Sequence, residues 1–258
     1  LNYYHIMVSV KTSLILLIVA VNSFDLNLIN LEKQFKEFLM TEHDSSVEED
    51  PDVHRSFEEM VIAHEFPLET HFVTTPDGYI LKIYRIPGPK GSDPSKDGIK
   101  RTPVLLGHGL TDSSDGWIYN TEELAPGYVL ANQGYDVWLI NIRGNRHSRE
   151  NTHLSPDKKE FWNFSFHENG LIDIPSVVDY IIEKTGFSKV IYVGHSQGGS
   201  MIFALCSMDP NYCSSKISGI VALAPAIYLD NNRSPFLNDL VNYRLDLVIP
   251  TLGYHHLF

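Results

Sequence analysis

Long hydrophobic runs are scarce in this sequence. The longest, residues 14–21, contains eight aliphatic residues, whereas a helix that crosses a bilayer needs about 20. The sequence therefore predicts no transmembrane anchor. The same run follows Met7 and Lys11 and ends near Ser23, a small residue that suits cleavage, and this order is typical of a secretory signal peptide. We predict a signal peptide over residues 1–23.

Basic residues are also few. The 258 residues include 20 Lys and Arg against 32 Asp and Glu, which gives a net charge of −12. No basic stretch with interleaved aromatic residues is present, so charge argues against a nucleic-acid partner. Residues 41–52 alone carry six acids and no Lys or Arg. Because such a polar stretch does not build a core, residues 24–52 are predicted to be an acidic lead or pro-segment.

Only two cysteines occur, Cys206 and Cys213, near the predicted end of a helix. A secreted route permits a disulfide, but a bridge requires Cα atoms within about 7 Å. The sequence leaves open a local bridge or a buried Cys206 with an unrelated Cys213. Among the twelve histidines, only His255 and His256 have a spacing in the sequence that could be considered for a metal-binding site. Adjacent side chains point apart, so no metal site is predicted.

The remaining pattern predicts an α/β fold in a core over residues 53–229. Asp77 and Gly78 separate two runs of alternating apolar and polar residues, which indicates an antiparallel hairpin. Four later runs are short and almost continuously apolar, as in strands buried on both faces: residues 103–109, 135–144, 189–196 and 219–226. Stretches of helical length lie between or beside them: residues 122–133, 168–184 and 197–208. This alternation predicts a mostly parallel sheet covered by helices on both faces.

Ser196 follows the fifth predicted strand and precedes a helix. A tight turn there would hold the serine above the sheet in a strained backbone conformation, as in a nucleophile elbow. Gly194 and Gly198 leave room at the positions two before and two after it. The pentapeptide alone is a weak signal, and its position between strand and helix carries the prediction that Ser196 is the nucleophile.

Acyl transfer also requires donors for the oxyanion of the tetrahedral intermediate. The N–H groups of Gln197 and Leu110 are predicted to supply them, because one such donor follows the nucleophile and the other follows the third strand. The alternative is that His108, Gly109 and Leu110 form only a turn. His195 is rejected as the base, because a residue adjacent to the nucleophile on a tight elbow points elsewhere.

Two further polar segments have plainer interpretations. Residues 143–149 follow the fourth strand and either shape the pocket or form a polar turn. Asp173, close to Pro175, is predicted to cap a helix. The sequons at Asn163 and Asn232 are about as many as chance provides.

Taken together, the sequence over about residues 52–229 resembles the acid lipase family that includes gastric lipase and lysosomal acid lipase. The resemblance is carried by these motifs: "TPDGYILKIYRIP", "LLGHGL", "GYDVWLINIRGNRHSR", "LSPDKKEFWNFSF", "DIPSVVDYI", "GHSQGG" and "ALAPA". It implies a secreted or lysosomal α/β-hydrolase that cleaves neutral lipid esters at acidic pH, without cofactor or metal. It also implies Ser196 as nucleophile, and Leu110 and Gln197 as oxyanion donors.

The C-terminal region departs from that family. Family members continue for well over a hundred residues through a cap and two further strands, whose loops supply the catalytic acid and histidine. Here the sequence ends 62 residues after Ser196, and His255 and His256 follow the sixth strand with no seventh or eighth between. We therefore expect residues 230–258 to begin a truncated cap, the triad acid and histidine to be missing, and the fragment alone to be inactive.

The expected function is hydrolysis of triacylglycerols or sterol esters at a lipid–water interface. Two alternatives remain: an esterase or thioesterase for shorter substrates, and a non-catalytic lipid-binding protein on a lipase scaffold. The retained elbow argues against the last, because binding does not require an exposed serine on a strained turn.

Overall fold

The computed structural model describes residues 50–228 and Arg233. By its contacts the chain divides into Leu1–Asp50 and Pro51–Phe258, and all the described helices and strands belong to the second unit. The predicted signal peptide, almost all of the acidic lead, and the predicted cap with His255 and His256 lie outside the described residues. Those assignments, and the predicted domain bounds, stay predictions.

Seven strands and seven α-helices are described. The strands are β1 (Glu69–Thr74), β2 (Tyr79–Ile86), β3 (Pro103–Gly107), β4 (Asp136–Leu139), β5 (Glu150–Asn151), β6 (Val190–His195) and β7 (Ile217–Leu223). The helices are α1 (Phe57–Ala63), α2 (Pro94–Asp97), α3 (Pro126–Asn132), α4 (Phe166–Glu168), α5 (Ile174–Thr185), α6 (Gln197–Met208) and α7 (Pro210–Lys216). Short 3-10 turns occur at Pro51–His54, Ser114–Trp117 and Lys159–Trp162, and a π turn at Asn169–Asp173.

The sheet order is β1-β2-β4-β3-β6-β7, with β5 paired to β2. The β1–β2 hairpin and the β2–β4 pair are antiparallel, whereas β4, β3, β6 and β7 are parallel. This confirms the predicted α/β fold with an N-terminal antiparallel hairpin. The two-residue β5 was not predicted, so the fifth and sixth predicted strands are β6 and β7. Among the described strands β7 pairs only with β6, and Val221 on it is 47% exposed.

Alternate residues of the central strands enter two separate cores. Val137 and Leu139 of β4 pack in a cluster with α1 and α3, whereas Trp138 packs in a cluster with α5 and α6. Since successive strand side chains point to opposite faces, both faces of the sheet are buried at its central strands. The continuous apolar runs of β3 and β4 have this physical origin, whereas β7 is largely exposed in the described part of the chain.

Three expected elements differ in detail. The helix expected over residues 122–133 begins only at Pro126, whose fixed φ and missing N–H suit a first helical position. The helix expected over residues 168–184 contains the π turn just before Pro175, because proline cannot donate the usual bond and its ring crowds the preceding turn. The loop expected over residues 88–101 contains α2.

Of the two arrangements that the sequence allows for the cysteines, the structure has the local bridge. Cys206 and Cys213 form a disulfide, with Cα atoms 5.3 Å apart. The bridge ties α6 to α7. No helix within residues 50–228 is both long enough and apolar enough to cross a membrane.

Candidate active site

Ser196 occupies the single-residue turn between β6 and α6. Its φ is 52° and its ψ is −115°, a backbone conformation that is costly for a residue with a side chain. The end of β7 helps to hold it, because Ser196 N donates to the carbonyl of Leu223 at 2.9 Å. The hydrogen bonds that described residues make with Ser196 all involve its backbone.

The glycines around Ser196 lie where backbones touch. A Cβ added to Gly198 would lie 2.3 Å from the carbonyl oxygen of Gly107, and one added to Gly194 would lie 2.6 Å from Gly198. A Cβ on Gly199 would lie 2.6 Å from Pro225. Real side chains do not approach so closely, so the elbow can pack against β3 and β7 only with glycine at these positions.

Two backbone N–H groups flank the serine and have no acceptor among the described residues. Gln197 is the first residue of α6. At this N-terminal end of the helix the N–H groups have no partner within the helix, and the helix dipole places partial positive charge there. Leu110 belongs to the loop after β3, and a Cβ on the neighbouring Gly109 would lie 3.3 Å from the Cβ of Ser196. Neither N–H donates a hydrogen bond within the described part of the chain. The structure thus brings Leu110, Ser196 and Gln197 together.

These three residues open onto a cleft of about 920 Å³. Its other lining residues are mostly apolar: Phe166, Ser200, Phe203, Ala204, Ser207, Ala226, Ile227 and Tyr228. A lining of this kind favours an apolar ligand, with the few polar groups at Ser196 to orient it.

Tyr192 stabilises the turn that carries Ser196, and this role was not predicted from the sequence. Its buried hydroxyl donates to the carbonyl of Gly198 at 2.9 Å, and a Cβ at Gly107 would lie only 2.1 Å from that hydroxyl. A signal was available, because a tyrosine inside a strand buried on both faces must find a partner for its O–H.

The capping prediction for Asp173 is wrong. Asp173 has helical φ and ψ, makes no cap bond and is fully buried. It accepts from Nε and Nη2 of Arg143 at 2.8 and 2.7 Å, and the same guanidinium binds Asp77. Burial raises the pKa of Asp173 to about 6, against the opposing effect of Arg143. Because a buried charge needs a partner, this ion pair takes precedence over a cap.

Of the two interpretations of residues 143–149, the structure has the polar turn: residues 143–147 form a turn, and none of residues 143–149 lines the cleft beside Ser196. Arg143 and Ser148 are buried, and His147 pairs with the buried Asp115 at 2.5 Å. Burial alone would raise the pKa of Asp115, but hydrogen bonds from His147 and Ser113 outweigh it and hold that pKa below its usual range. Residues 143–149 lie in the loop after β4, and the His147–Asp115 pair joins this loop to the loop after β3, which carries Leu110.

His195 is exposed and makes no hydrogen bond to Ser196. Within residues 50–228 and Arg233, no group of three His, Cys, Asp or Glu side chains is arranged to hold a metal ion.

Two protein-family models match the chain. The model described as the alpha/beta hydrolase fold covers residues 102–252, more than half of the sequence. The model described as a partial alpha/beta-hydrolase lipase region covers residues 57–121.

Several curated relatives are lipases by name. Lipase 1 of Drosophila melanogaster is 42% identical over 194 residues, which are 75% of this chain and 42% of that protein. Gastric triacylglycerol lipase of Mus musculus is 42% identical over 72% of this chain and 46% of its own length. Lipase member K of Homo sapiens is 41% identical over the same shares. The chain thus spans less than half the length of these relatives.

Proposed function

The chain belongs to the acid lipase family of α/β-hydrolases, and from this membership we propose that it cleaves neutral lipid esters by acyl transfer to Ser196. The observation that carries the proposal is the strained Ser196, flanked by the N–H groups of Gln197 and Leu110, where all three residues line an apolar cleft.

In the proposed first step, Ser196 Oγ attacks the ester carbonyl carbon and its proton passes to a base. The carbonyl oxygen becomes an oxyanion that accepts hydrogen bonds from Gln197 N–H and Leu110 N–H, each worth about 10²- to 10³-fold in rate. The C–O bond to the alcohol breaks, and the alcohol leaves with the proton. Water then attacks the acyl-enzyme and releases the fatty acid.

The base and its orienting acid belong to the proposal as well. The described residues form hydrogen bonds only with the backbone of Ser196. We therefore infer that the histidine base and the carboxylate that orients it are not among the described residues. Without that pair, binding and the oxyanion donors would leave only about 10³- to 10⁴-fold catalysis over water.

Apolar side chains at the cleft support a lipid substrate at a lipid–water interface. Phe166, Phe203 and Tyr228 line the cleft and are exposed, and grouped exposed apolar residues mark binding surfaces. The named activity of the mouse relative, on triacylglycerols, agrees with this substrate class. We also propose a secreted or lysosomal location, which the signal-peptide pattern and the Cys206–Cys213 disulfide support.

The test compares the full-length gene product, secreted from a eukaryotic host, with its Ser196→Ala and Ser218→Ala variants. Ser218 is an exposed residue of β7 and serves as the matched control. We expect Ser196→Ala to lower hydrolysis of a triolein emulsion by at least roughly 10³-fold and Ser218→Ala to leave it unchanged.

Three results would contradict the proposal in different ways. Undiminished hydrolysis by Ser196→Ala would exclude this nucleophile. Hydrolysis of p-nitrophenyl acetate but not of triolein would replace the lipase with an esterase for short substrates. Folded wild-type protein that hydrolyses neither substrate would favour a lipid carrier.

A further inference from the structure

His108 is buried and belongs to the loop after β3 that also carries Leu110. It is 1% exposed, and both ring nitrogens have partners. Nδ1 lies 2.8 Å from the carbonyl oxygen of Gly109. Nε2 lies 3.3 Å from the backbone nitrogen of Ile142 and 3.2 Å from Nδ2 of Asn145, so the ring links the loop after β3 to the loop after β4.

These partners determine which ring nitrogen carries the proton. The Ile142 N–H and the Nδ2 group of Asn145 can only donate, so Nε2 accepts and is unprotonated. Nδ1 then bears the hydrogen and donates to Gly109 O. Burial lowers the pKa of His108, against the opposing effect of the Gly109 carbonyl, which agrees with a neutral ring.

The hydrogen bond between His108 Nδ1 and the carbonyl oxygen of Gly109 also fixes the direction of the Leu110 N–H. The C=O of Gly109 and the N–H of Leu110 belong to the same planar, trans peptide unit and point in opposite directions. Holding the oxygen against His108 therefore holds the Leu110 N–H on the other side. That N–H has no protein acceptor within the described residues, and Leu110 lines the cleft beside Ser196.

We propose that His108 is a positioning residue for the oxyanion hole, whose Nδ1–H orients the Gly109–Leu110 peptide and so aims the Leu110 N–H at the reacting oxygen. The proposal rests on the proposed function. It assigns a role to a side chain whose hydrogen bonds go to Gly109, Ile142 and Asn145 rather than to Ser196.

Two substitutions separate the two sides of the ring. In His108→Asn the side-chain NH₂ takes the place of Nδ1 and keeps the donor to Gly109, while the acceptor for Ile142 is lost. In His108→Gln the side-chain oxygen reaches the place of Nε2 and keeps that acceptor, while the donor to Gly109 is lost. Both variants remove the aromatic ring, so each is the other's control.

With p-nitrophenyl butyrate and the full-length gene product, we expect His108→Gln to lower kcat by roughly 10- to 100-fold and His108→Asn to keep kcat within about threefold, with KM nearly unchanged in both. His108→Asn should be the less stable variant in urea, because it leaves the buried Ile142 N–H without an acceptor. A merely structural histidine would instead make kcat follow stability.

Equal kcat losses in the two variants, or a wild-type kcat in His108→Gln, would overturn the inference while Ser196-dependent hydrolysis kept the proposed function intact. Hydrolysis that does not depend on Ser196 would overturn both. Nitrogen chemical shifts of the wild-type imidazole provide a readout independent of activity: protonated Nδ1 is expected, and protonated Nε2 would contradict the mechanism.

Discussion

Close backbone contacts limit which amino acids can occupy the positions around Ser196. The positive φ of Ser196 is matched by Ala224 after β7, with φ 44°, and the two segments are joined by the bond from Ser196 N to Leu223 O. Strain of this kind persists only where the surroundings hold it. The surrounding glycines let β3, β6 and α6 approach closely enough to do so.

Gly198→Ala tests this packing. The new Cβ would meet Gly107 O at 2.3 Å, so α6 must move away from β3, and we expect the free energy of unfolding in urea to fall by about 1–3 kcal/mol. Without that contact, alanine inside a helix would raise stability by up to about 1 kcal/mol. Gly219→Ala in β7, where no atom of the described residues lies within 4 Å of the new Cβ, is the control and should stay within about 0.5 kcal/mol. Equal stability of the two variants would show that the contact is not limiting.

At the scale of elements, Arg143 joins three parts of the fold. It follows β4, binds Asp77 in the β1–β2 turn, binds Asp173 at the start of α5, and stacks on Tyr79 at 4.1 Å. Its location at the meeting point of the hairpin, the sheet and a helix explains why a fully charged side chain is buried there.

Arg143→Met is expected to lower the free energy of unfolding by about 3–5 kcal/mol, because it leaves Asp173 buried without a partner. Lys96→Met is the control, since Lys96 pairs with Asp93 on the surface with 81% and 51% of the two side chains exposed. That change should cost at most about 1 kcal/mol. A loss in Arg143→Met no larger than in the control would mean that Asp173 finds another partner.

Elements with a local cause could be predicted from sequence. The Asp77–Gly78 segment forms the turn of an antiparallel hairpin, as predicted, and α6 has the predicted bounds, residues 197–208. The Arg143–Asp173 pair could not be predicted, because its members are 30 positions apart and meet only after folding. The Cys206–Cys213 bridge likewise depended on how α6 meets α7, which periodicity does not encode.

At the scale of the whole molecule, the parallel strands bring the residues of the candidate site to one edge of the sheet. The carboxyl ends of β3, β6 and β7 meet at one edge of the sheet, which is where ligands bind in open α/β sheets. Leu110 follows β3, Ser196 follows β6, and Ala226, which lines the cleft, follows β7. The mostly parallel sheet could be predicted from the alternating pattern, whereas the orientation of the Gly109–Leu110 peptide depends on the buried ring of His108.

The most direct test of the account is the site of covalent labelling by a p-nitrophenyl alkylphosphonate in the full-length gene product. Ser196 Oγ should displace p-nitrophenolate and leave one phosphonyl group per chain on the peptide that contains Ser196, with ester hydrolysis lost in the same proportion. A label on another residue, or hydrolysis that continues after Ser196 is fully modified, would contradict the account.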